Sequence, residues 1–104
     1  MDIIVIYTTV SDKKIAKNIT NVLLKHKLAA CVSAIDKVKS KFSYDGEICE
    51  ETEVMLMIKT RRSYYSKIKL VIEDIHPYNV PEIIALPVVD CSEEYLKWLV
   101  KETV

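Results

Sequence analysis

The strand-forming segments of this sequence are apolar at consecutive positions, and this constrains the fold more than any other feature. Successive side chains of a strand point to opposite faces, so a sheet with one face in water alternates apolar and polar residues. The runs 3–6, 54–58 and 83–86 do not alternate. These strands are therefore apolar on both faces, and protein must cover each face.

The order of the predicted elements is β-α-β-β-α-β-α. The apolar spacing and the turn signals predict four strand regions: Ile3 to Thr9, Ala29 to Tyr44, about Ile48 to Thr60, and Ile83 to Val89. Ser11 or Asp12 caps a helix after the first strand, and Thr60 or Ser63 caps a second helix that ends near His76. A terminal helix begins at about Ser92. This order predicts an α+β, ferredoxin-like βαββαβ two-layer sandwich with an antiparallel sheet and an extra C-terminal helix. We expect residues 1–104 to form one domain.

A hairpin joins the two long central strands. Asp45-Gly46 is its turn, because both positions of a two-residue turn favour positive φ and these residue types tolerate it. The arms of the hairpin, from about Lys39 to Glu51, extend beyond what a two-layer sandwich needs. Such an extension exposes unpaired strand edges unless another chain pairs with it.

The predicted fold leaves one face of the sheet to be covered from outside. Two helices cover the first face, and the terminal helix is too short to cover four strands on the second. Self-association through the second face is the interpretation we favour, since large apolar patches mark interfaces. A monomer that folds its C-terminal helix beneath the sheet is the alternative.

Composition excludes several function classes. The 15 basic and 15 acidic side chains cancel, so we predict binding to neither nucleic acid nor membranes. The single glycine, Gly46, excludes a glycine-rich phosphate loop. The basic residues Lys59, Arg61 and Arg62 are interpreted as a solvated helix start.

No secretory signal is recognised at the N-terminus, and the three cysteines are widely spaced, so we expect reduced thiols and a cytoplasmic location.

Several segments in collinear order resemble the CutA divalent-cation tolerance proteins. They are Leu28-Ala29-Ala30-Cys31-Val32, Tyr44-Asp45-Gly46-Glu47-Ile48, Met57-Ile58-Lys59-Thr60-Arg61, His76-Pro77-Tyr78-Asn79-Val80-Pro81-Glu82-Ile83-Ile84-Ala85-Leu86-Pro87 and Tyr95-Leu96-Lys97-Trp98-Leu99. The resemblance implies a homotrimer with an architecture like that of the PII signal-transduction proteins, and a role in tolerance to copper or another divalent cation. We expect Phe42 and Tyr44 on the arm, and Trp98, to lie at the trimer interface.

Three residues are candidate metal ligands, although no spaced ligand pair is present. Cys31 is a soft donor, which the resemblance associates with copper, or a buried apolar residue. His76 is either a helix-terminal histidine or a pocket residue acting with Tyr78 and Glu82. Glu82 is a carboxylate ligand or a member of a structural ion pair.

No residue is predicted to be catalytic, because no nucleophile stands beside a base in the sequence. Two other functions stay open: a PII-like sensor of a small molecule, and a scaffold trimer without a ligand. The three hypotheses differ in what occupies the clefts between subunits.

Overall fold

The computed structural model describes residues 2–103 and confirms the predicted order of elements. They are β1 (Ile3–Val10), α1 (Lys13–Lys25), β2 (Cys31–Tyr44), β3 (Glu47–Arg61), a 3₁₀ turn (Arg62–Tyr64), α2 (Tyr65–Ile75), β4 (Ile84–Pro87) and α3 (Glu93–Glu102). The sheet order is β2-β3-β1-β4, and every neighbouring pair is antiparallel. This is the ferredoxin-like α+β fold with an added C-terminal helix. No helix among the described residues has the length and apolar character needed to cross a membrane.

The first helix forms as its sequence predicts. The Asp12 carboxylate accepts a hydrogen bond from the Ile15 N–H at 2.9 Å, which caps the N-terminus of α1. Ala16, Ile19 and Leu23 then recur on one side of the helix and are buried against the sheet. The capping residue and the apolar stripe together fix where α1 begins and which side faces the core.

The predicted cap of the second helix is wrong. Thr60 belongs to β3, where its hydroxyl donates to the Leu28 carbonyl oxygen at 2.5 Å, and α2 begins at Tyr65 without a side-chain cap. Ser63 lies inside the 3₁₀ turn and does not cap α2. The strand continues this far because its alternation, with Ile58 and Thr60 on the buried side, extends past the last apolar run.

The last strand is shorter than predicted. It was expected from Ile83 to Val89, but the ladder with β1 covers Ile84–Pro87. One more hydrogen bond follows, from the Val88 N–H to the Ile3 carbonyl at 3.0 Å, and Val89 is exposed. Because β4 is short, the part of β1 beyond Tyr7 has no strand on that side.

A β-bulge interrupts β2 where the hairpin leaves the body of the protein. Ile35 pairs with Met55 and Val38 pairs with Glu53, so Asp36 and Lys37 are extra residues on β2. Lys37 has a φ of 58° and donates its N–H to the Asp36 carboxylate at 2.9 Å. The bulge places Val38 on the same face of the sheet as Ile35.

Beyond the bulge the hairpin is a two-stranded ribbon, which we call the arm (residues 39–51). The ladder between β1 and β3 ends at Val10 and Val54, so β3 lacks a second neighbour throughout the arm. The predicted turn at Asp45-Gly46 is confirmed, with φ values of 50° and 79°. Among residues 2–103, no strand therefore pairs with either edge of the arm.

Candidate functional site

One face of the sheet is covered by α1 and α2, and the opposite face, which we call the open face, is largely uncovered. The side chains on the covered side, such as Ile6, Leu56 and Ile58, are completely buried. The register places the following residues together on the open face: Val5, Tyr7, Ile35, Met55, Met57, Ile84 and Leu86. Each of them is half-buried or exposed. The prediction of a sheet that is apolar on both faces is confirmed.

The C-terminal helix covers only one end of the open face. Arg61, at the last position of β3, donates from Nε to the Thr103 hydroxyl at 2.7 Å and from a terminal nitrogen to the Val100 carbonyl at 2.6 Å. Leu99 and Thr103 are completely buried as a result of this docking. The interpretation of Arg61 as a solvated helix-start residue is wrong, because β3 continues to this position and its guanidinium holds α3.

At the opposite end of the sheet, Thr9, Glu53, His76 and Tyr78 form a hydrogen-bonded group that we call the His76 cluster. The loop after α2 crosses the end of β1 here. His76 is 6% exposed, and its Nε2 bonds to the Thr9 carbonyl oxygen at 2.7 Å. Since a carbonyl only accepts, Nε2 carries the proton. The imidazole thereby bonds to the backbone of β1 at Thr9, which lies beyond the part of β1 that pairs with β4.

The remaining contacts of the cluster join the loop to the base of the arm. The Tyr78 N–H donates to His76 Nδ1 at 3.2 Å, and the two rings lie 4.6 Å apart. The Tyr78 hydroxyl donates to the Glu53 carboxylate at 2.7 Å, and Glu53 is 5% exposed. Both nitrogens of His76 are therefore occupied by protein groups, so it binds a metal only if one of these bonds breaks.

Electrostatics keep Tyr78 in its protonated form. Burial raises the pKa of Tyr78 above its ordinary range, and the Glu53 carboxylate that accepts its hydrogen bond and the nearby Glu51 raise it further. The hydroxyl is therefore a permanent hydrogen-bond donor at neutral pH. Of the predicted pair of partners for His76, the structure brings in Tyr78 but not Glu82, which is exposed.

Cys31 lies far from the His76 cluster within one chain. It pairs with Lys59 across the β2–β3 ladder, and Lys59 is six positions along β3 from Glu53. That separation is roughly 20 Å at about 3.3 Å per residue. The Lys59 ammonium lies 3.8 Å from the Cys31 sulfur and 3.3 Å from the Ser33 hydroxyl. Lys59 is half-buried on the open face, so its interpretation as a solvated helix-start residue is also wrong.

No single chain assembles a metal site from its described residues. Among residues 2–103, no three histidine, cysteine, aspartate or glutamate side chains lie close enough together to hold a metal ion. Cys49 and Cys91 are free thiols on the arm and before α3, respectively, and Cys31 is also free. The predicted ligands Cys31, His76 and Glu82 meet only if different copies contribute them.

Sequence reasoning missed Glu53 and misjudged Lys59, although the alternation of β3 contains a signal for both. Glu53 and Lys59 share their parity with Met55 and Met57, which places all four on the same face of one strand. A carboxylate or an ammonium on a strand face that is otherwise apolar needs a hydrogen bond or a compensating charge, and this requirement marks both positions.

The fold and the uncovered face define a ferredoxin-like α+β subunit with a long arm and an added C-terminal helix. The model of the family described as CutA1 divalent ion tolerance protein matches residues 4–102. The divalent-cation tolerance protein CutA of Thermus thermophilus is 37% identical over 99 residues, which are 95% of this chain and 96% of that protein. The chloroplastic CutA of Arabidopsis thaliana is 37% identical over 100 residues, but the match spans only 55% of its length.

A solved structure gives the same result. The crystal structure of CutA1 from Oryza sativa superposes with a TM-score of 0.96 at 35% identity, over 100% of this chain and 95% of that one. The chain therefore belongs to the CutA1 divalent ion tolerance family, which its motifs already indicated.

Proposed function

We propose that the protein is a homotrimeric divalent-cation tolerance protein whose subunits cover one another's open faces. The observation that carries this proposal is the open face itself, where Ile35, Ile84 and Leu86 are each about half exposed, at 47%, 52% and 45%. Apolar patches of this kind mark interfaces in soluble proteins. The family resemblance supplies the number of subunits.

The free edges of the sheet support a closed ring. The strand order leaves β2, with its arm, at one edge and the short strand β4 at the other. A contact between two different edges is heterologous, and such contacts generate a ring when the rotation closes. Edge pairing between copies would also satisfy the backbone groups that the arm leaves unpaired.

The predicted interface residues are exposed in the single chain. Phe42 and Tyr44, which are 41% and 52% exposed, lie on the side of the arm that continues the open face. Trp98 is 41% exposed on α3 and packs against Tyr95 in a tilted arrangement with 5.4 Å between ring centres. Aromatic side chains of this kind contribute strongly to interface cores.

The trimer is tested by sedimentation of the wild type and two matched variants. Met57→Glu places a carboxylate in the middle of the open face, whereas Leu70→Glu places one on the outer side of α2, where Leu70 is 66% exposed. We expect three subunits for the wild type and Leu70→Glu, and a folded single subunit for Met57→Glu, because a buried unpaired charge is costly. A wild type that sediments as one subunit at micromolar concentration would remove the proposal.

We further propose that copper or another divalent cation binds between copies, with Cys31, His76 and Glu82 as its ligands. Thiolate and imidazole suit copper and zinc, and Cys31 lies on the open face, where a second copy can contribute further ligands. Copper is titrated by calorimetry into the wild type, Cys31→Ala, Glu82→Gln and the control Cys91→Ala. We expect the control to bind like the wild type; a Cys31→Ala protein that also does so eliminates Cys31 as a ligand.

A groove beside β4 keeps the small-molecule sensor as a second candidate. It has a volume of about 630 Å³ and is lined by residues that include Arg62, Tyr65 and Ile84. Its position next to a free sheet edge would place it in a cleft between copies. A thermal-shift screen over nucleotides and metabolites tests this function, and an Arg62→Ala variant shows whether any hit uses the groove.

We infer that the protein acts by binding rather than by catalysis, and in the cytoplasm. In the His76 cluster, the imidazole has both nitrogens bonded and Tyr78 retains its proton, so neither is free to act as a base. The three free thiols suit a reducing compartment. Fractionation of cells that express the untagged protein tests the location, and recovery outside the cytoplasmic fraction would contradict it.

A further inference from the structure

Lys59 occupies a position on the open face where an ammonium group is unexpected. Its side chain leaves β3 in register with Met57, and its neighbours across the sheet are Val5 on one side and Cys31 on the other. Lys59 is half-buried there. An ammonium that loses part of its hydration needs a compensating charge or a full set of hydrogen bonds.

The partners of Lys59 within the chain do not provide that charge. Its Nζ lies 3.3 Å from Ser33 Oγ and 3.8 Å from Cys31 Sγ, and both groups are uncharged when the thiol is protonated. The ion pairs found within residues 2–103 join Lys13 to Asp36, Lys69 to Glu73 and Lys97 to Glu93, so none includes Lys59. Within residues 2–103 the ammonium therefore has no acidic partner, and at least one of its N–H groups is left over.

Two hydrogen-bond donors, the Lys59 ammonium and the Ser33 hydroxyl, converge at this point of the open face. The Cys31 sulfur lies beside both and accepts from the ammonium. A positive charge surrounded by donors is the environment in which carboxylate and phosphate oxygens form their strongest hydrogen bonds. The apolar neighbours around it lower the local polarity, which strengthens such a contact.

We propose that Lys59 and Ser33, beside the Cys31 sulfur, form a binding site for an oxyanion of the carboxylate or phosphate class. The inference rests on the proposed trimer in one respect: covering of the open face would remove the remaining water from Lys59 and leave its charge unpaired unless an anion accompanies it. The bound anion would also offset the repulsion between this ammonium and a cation held by the Cys31 sulfur. The two proposed sites are therefore compatible.

The oxyanion has two possible sources with the same chemistry. One is a free small anion in the cleft between copies. The other is a glutamate on the arm of a neighbouring copy, since Glu47 and Glu51 lie on the side of the arm that continues the open face. In either case Lys59 provides the charge and Ser33 provides a neutral donor.

The test compares Lys59→Gln with the matched control Lys39→Gln, which removes an exposed lysine of the arm. Lys59→Arg retains the charge and serves as a rescue variant. Inorganic phosphate and acetate are titrated into each full-length protein at constant ionic strength, and binding is followed by amide chemical shifts and by Tm. Sedimentation over a dilution series gives the concentration at which each assembly dissociates.

If the oxyanion is a free anion, phosphate or acetate shifts the Ser33 amide resonance. It also raises the Tm of the wild type, Lys39→Gln and Lys59→Arg by roughly 2–4 °C, but not that of Lys59→Gln. If a glutamate of a neighbouring copy supplies the carboxylate, added anions have no effect. The concentration at which the assembly dissociates is then at least about tenfold higher for Lys59→Gln than for Lys39→Gln, and Glu47→Gln or Glu51→Gln has the same effect. The proposal is overturned if Lys59→Gln matches Lys39→Gln in both measurements.

Sedimentation of the wild type alone decides whether the protein is a trimer, so this result is separate from that for the oxyanion site. If the wild type is a trimer and Lys59→Gln behaves like its control, only the oxyanion site fails. If the wild type is a single subunit, the trimer fails and the phosphate and acetate titrations alone decide the oxyanion site.

Discussion

The two faces of the sheet are built from similar aliphatic side chains, yet they differ completely in burial. On the covered face, Ile6, Leu56 and Ile58 have no exposed surface, because α1 and α2 pack directly on them. On the open face, Ile84 and Leu86 keep about half of their surface in water. A single chain covers one face with its own helices. The second face stays partly exposed, and only other molecules can cover it.

The faces also differ in their charged residues. The covered face contains threonines, such as Thr60, whose hydroxyl is bonded within the chain. The open face contains the ionisable groups Glu53, Lys59 and Arg61, each held by neutral groups of its own chain. Of these groups, Glu53 is covered by its own chain, whereas Lys59 and Arg61 are half-buried.

The largest effect is expected when the two faces are compared by truncation at adjacent positions of β3. Leu56→Ala removes a completely buried side chain and is expected to lower the free energy of unfolding by about 2–5 kcal/mol at every protein concentration. Met57→Ala, on the open face, is expected to act mainly on the assembly. Its effect in guanidinium unfolding therefore shrinks as the protein is diluted towards the concentration at which the wild type dissociates, and an effect independent of concentration would contradict the difference between the faces.

The next effect concerns the end of the open face that the chain covers by itself. Arg61→Ala removes two hydrogen bonds from a charged group to α3, so we expect about 2–3 kcal/mol of destabilisation and undocking of the helix. Trp98 on α3 reports this as an increase in fluorescence quenching by acrylamide. Arg62→Ala, at an exposed neighbouring position, is the control. If both variants behave alike, Arg61 does not hold the helix.

The parts of the fold that were predictable depend on local patterns. The hairpin turn required only Asp45-Gly46, and the cap of α1 required only Asp12 and the apolar stripe that follows it. The bulge at Asp36 and Lys37 was not predicted, because a lysine with positive φ has no sequence signal. Its cause lies in the pairing of two strands, which no single segment encodes.

The His76 cluster shows the same limit for the site. The contact between Tyr78 and His76 is local, since only one residue separates them. Glu53 joins the cluster through a contact that spans 25 positions of the chain, and it exists because the loop after α2 crosses the end of β1. Lys59 is misjudged because the short basic run of Lys59, Arg61 and Arg62 resembles a solvated helix start, although Lys59 lies within β3.

A smaller effect is expected from the buried hydrogen bond at the far end of the open face. Tyr78→Phe leaves the Glu53 carboxylate without its donor and is expected to cost about 1.5–3 kcal/mol at neutral pH. The Tyr78 pKa is raised in the folded protein, so above about pH 10 the folded state keeps a proton that the unfolded chain has lost. Stability that depends on this proton declines as the pH rises, and the phenylalanine variant lacks that decline.

The difference in unfolding free energy between wild type and Tyr78→Phe should therefore shrink as the pH rises above about 10, by at most about 1.4 kcal/mol per pH unit. Urea unfolding at several pH values measures it. Tyr44→Phe, on the exposed part of the arm, is the control and should differ little from wild type at any pH. A constant difference across this range would show that the raised pKa of Tyr78 has no role in stability.

The smallest effect is expected on the covered face, at Thr8. Its hydroxyl is completely buried, and within residues 2–103 it is a buried side-chain oxygen without a hydrogen-bond partner. Thr8→Val replaces the hydroxyl by a methyl group of similar volume, so we expect stabilisation by about 1 kcal/mol, measured as a rise in the urea midpoint without a change in slope. Thr60→Val is the control with the opposite sign, because the Thr60 hydroxyl is bonded to Leu28. Destabilisation by both variants would mean that Thr8 has a partner in solution and that this face also contains a polar contact.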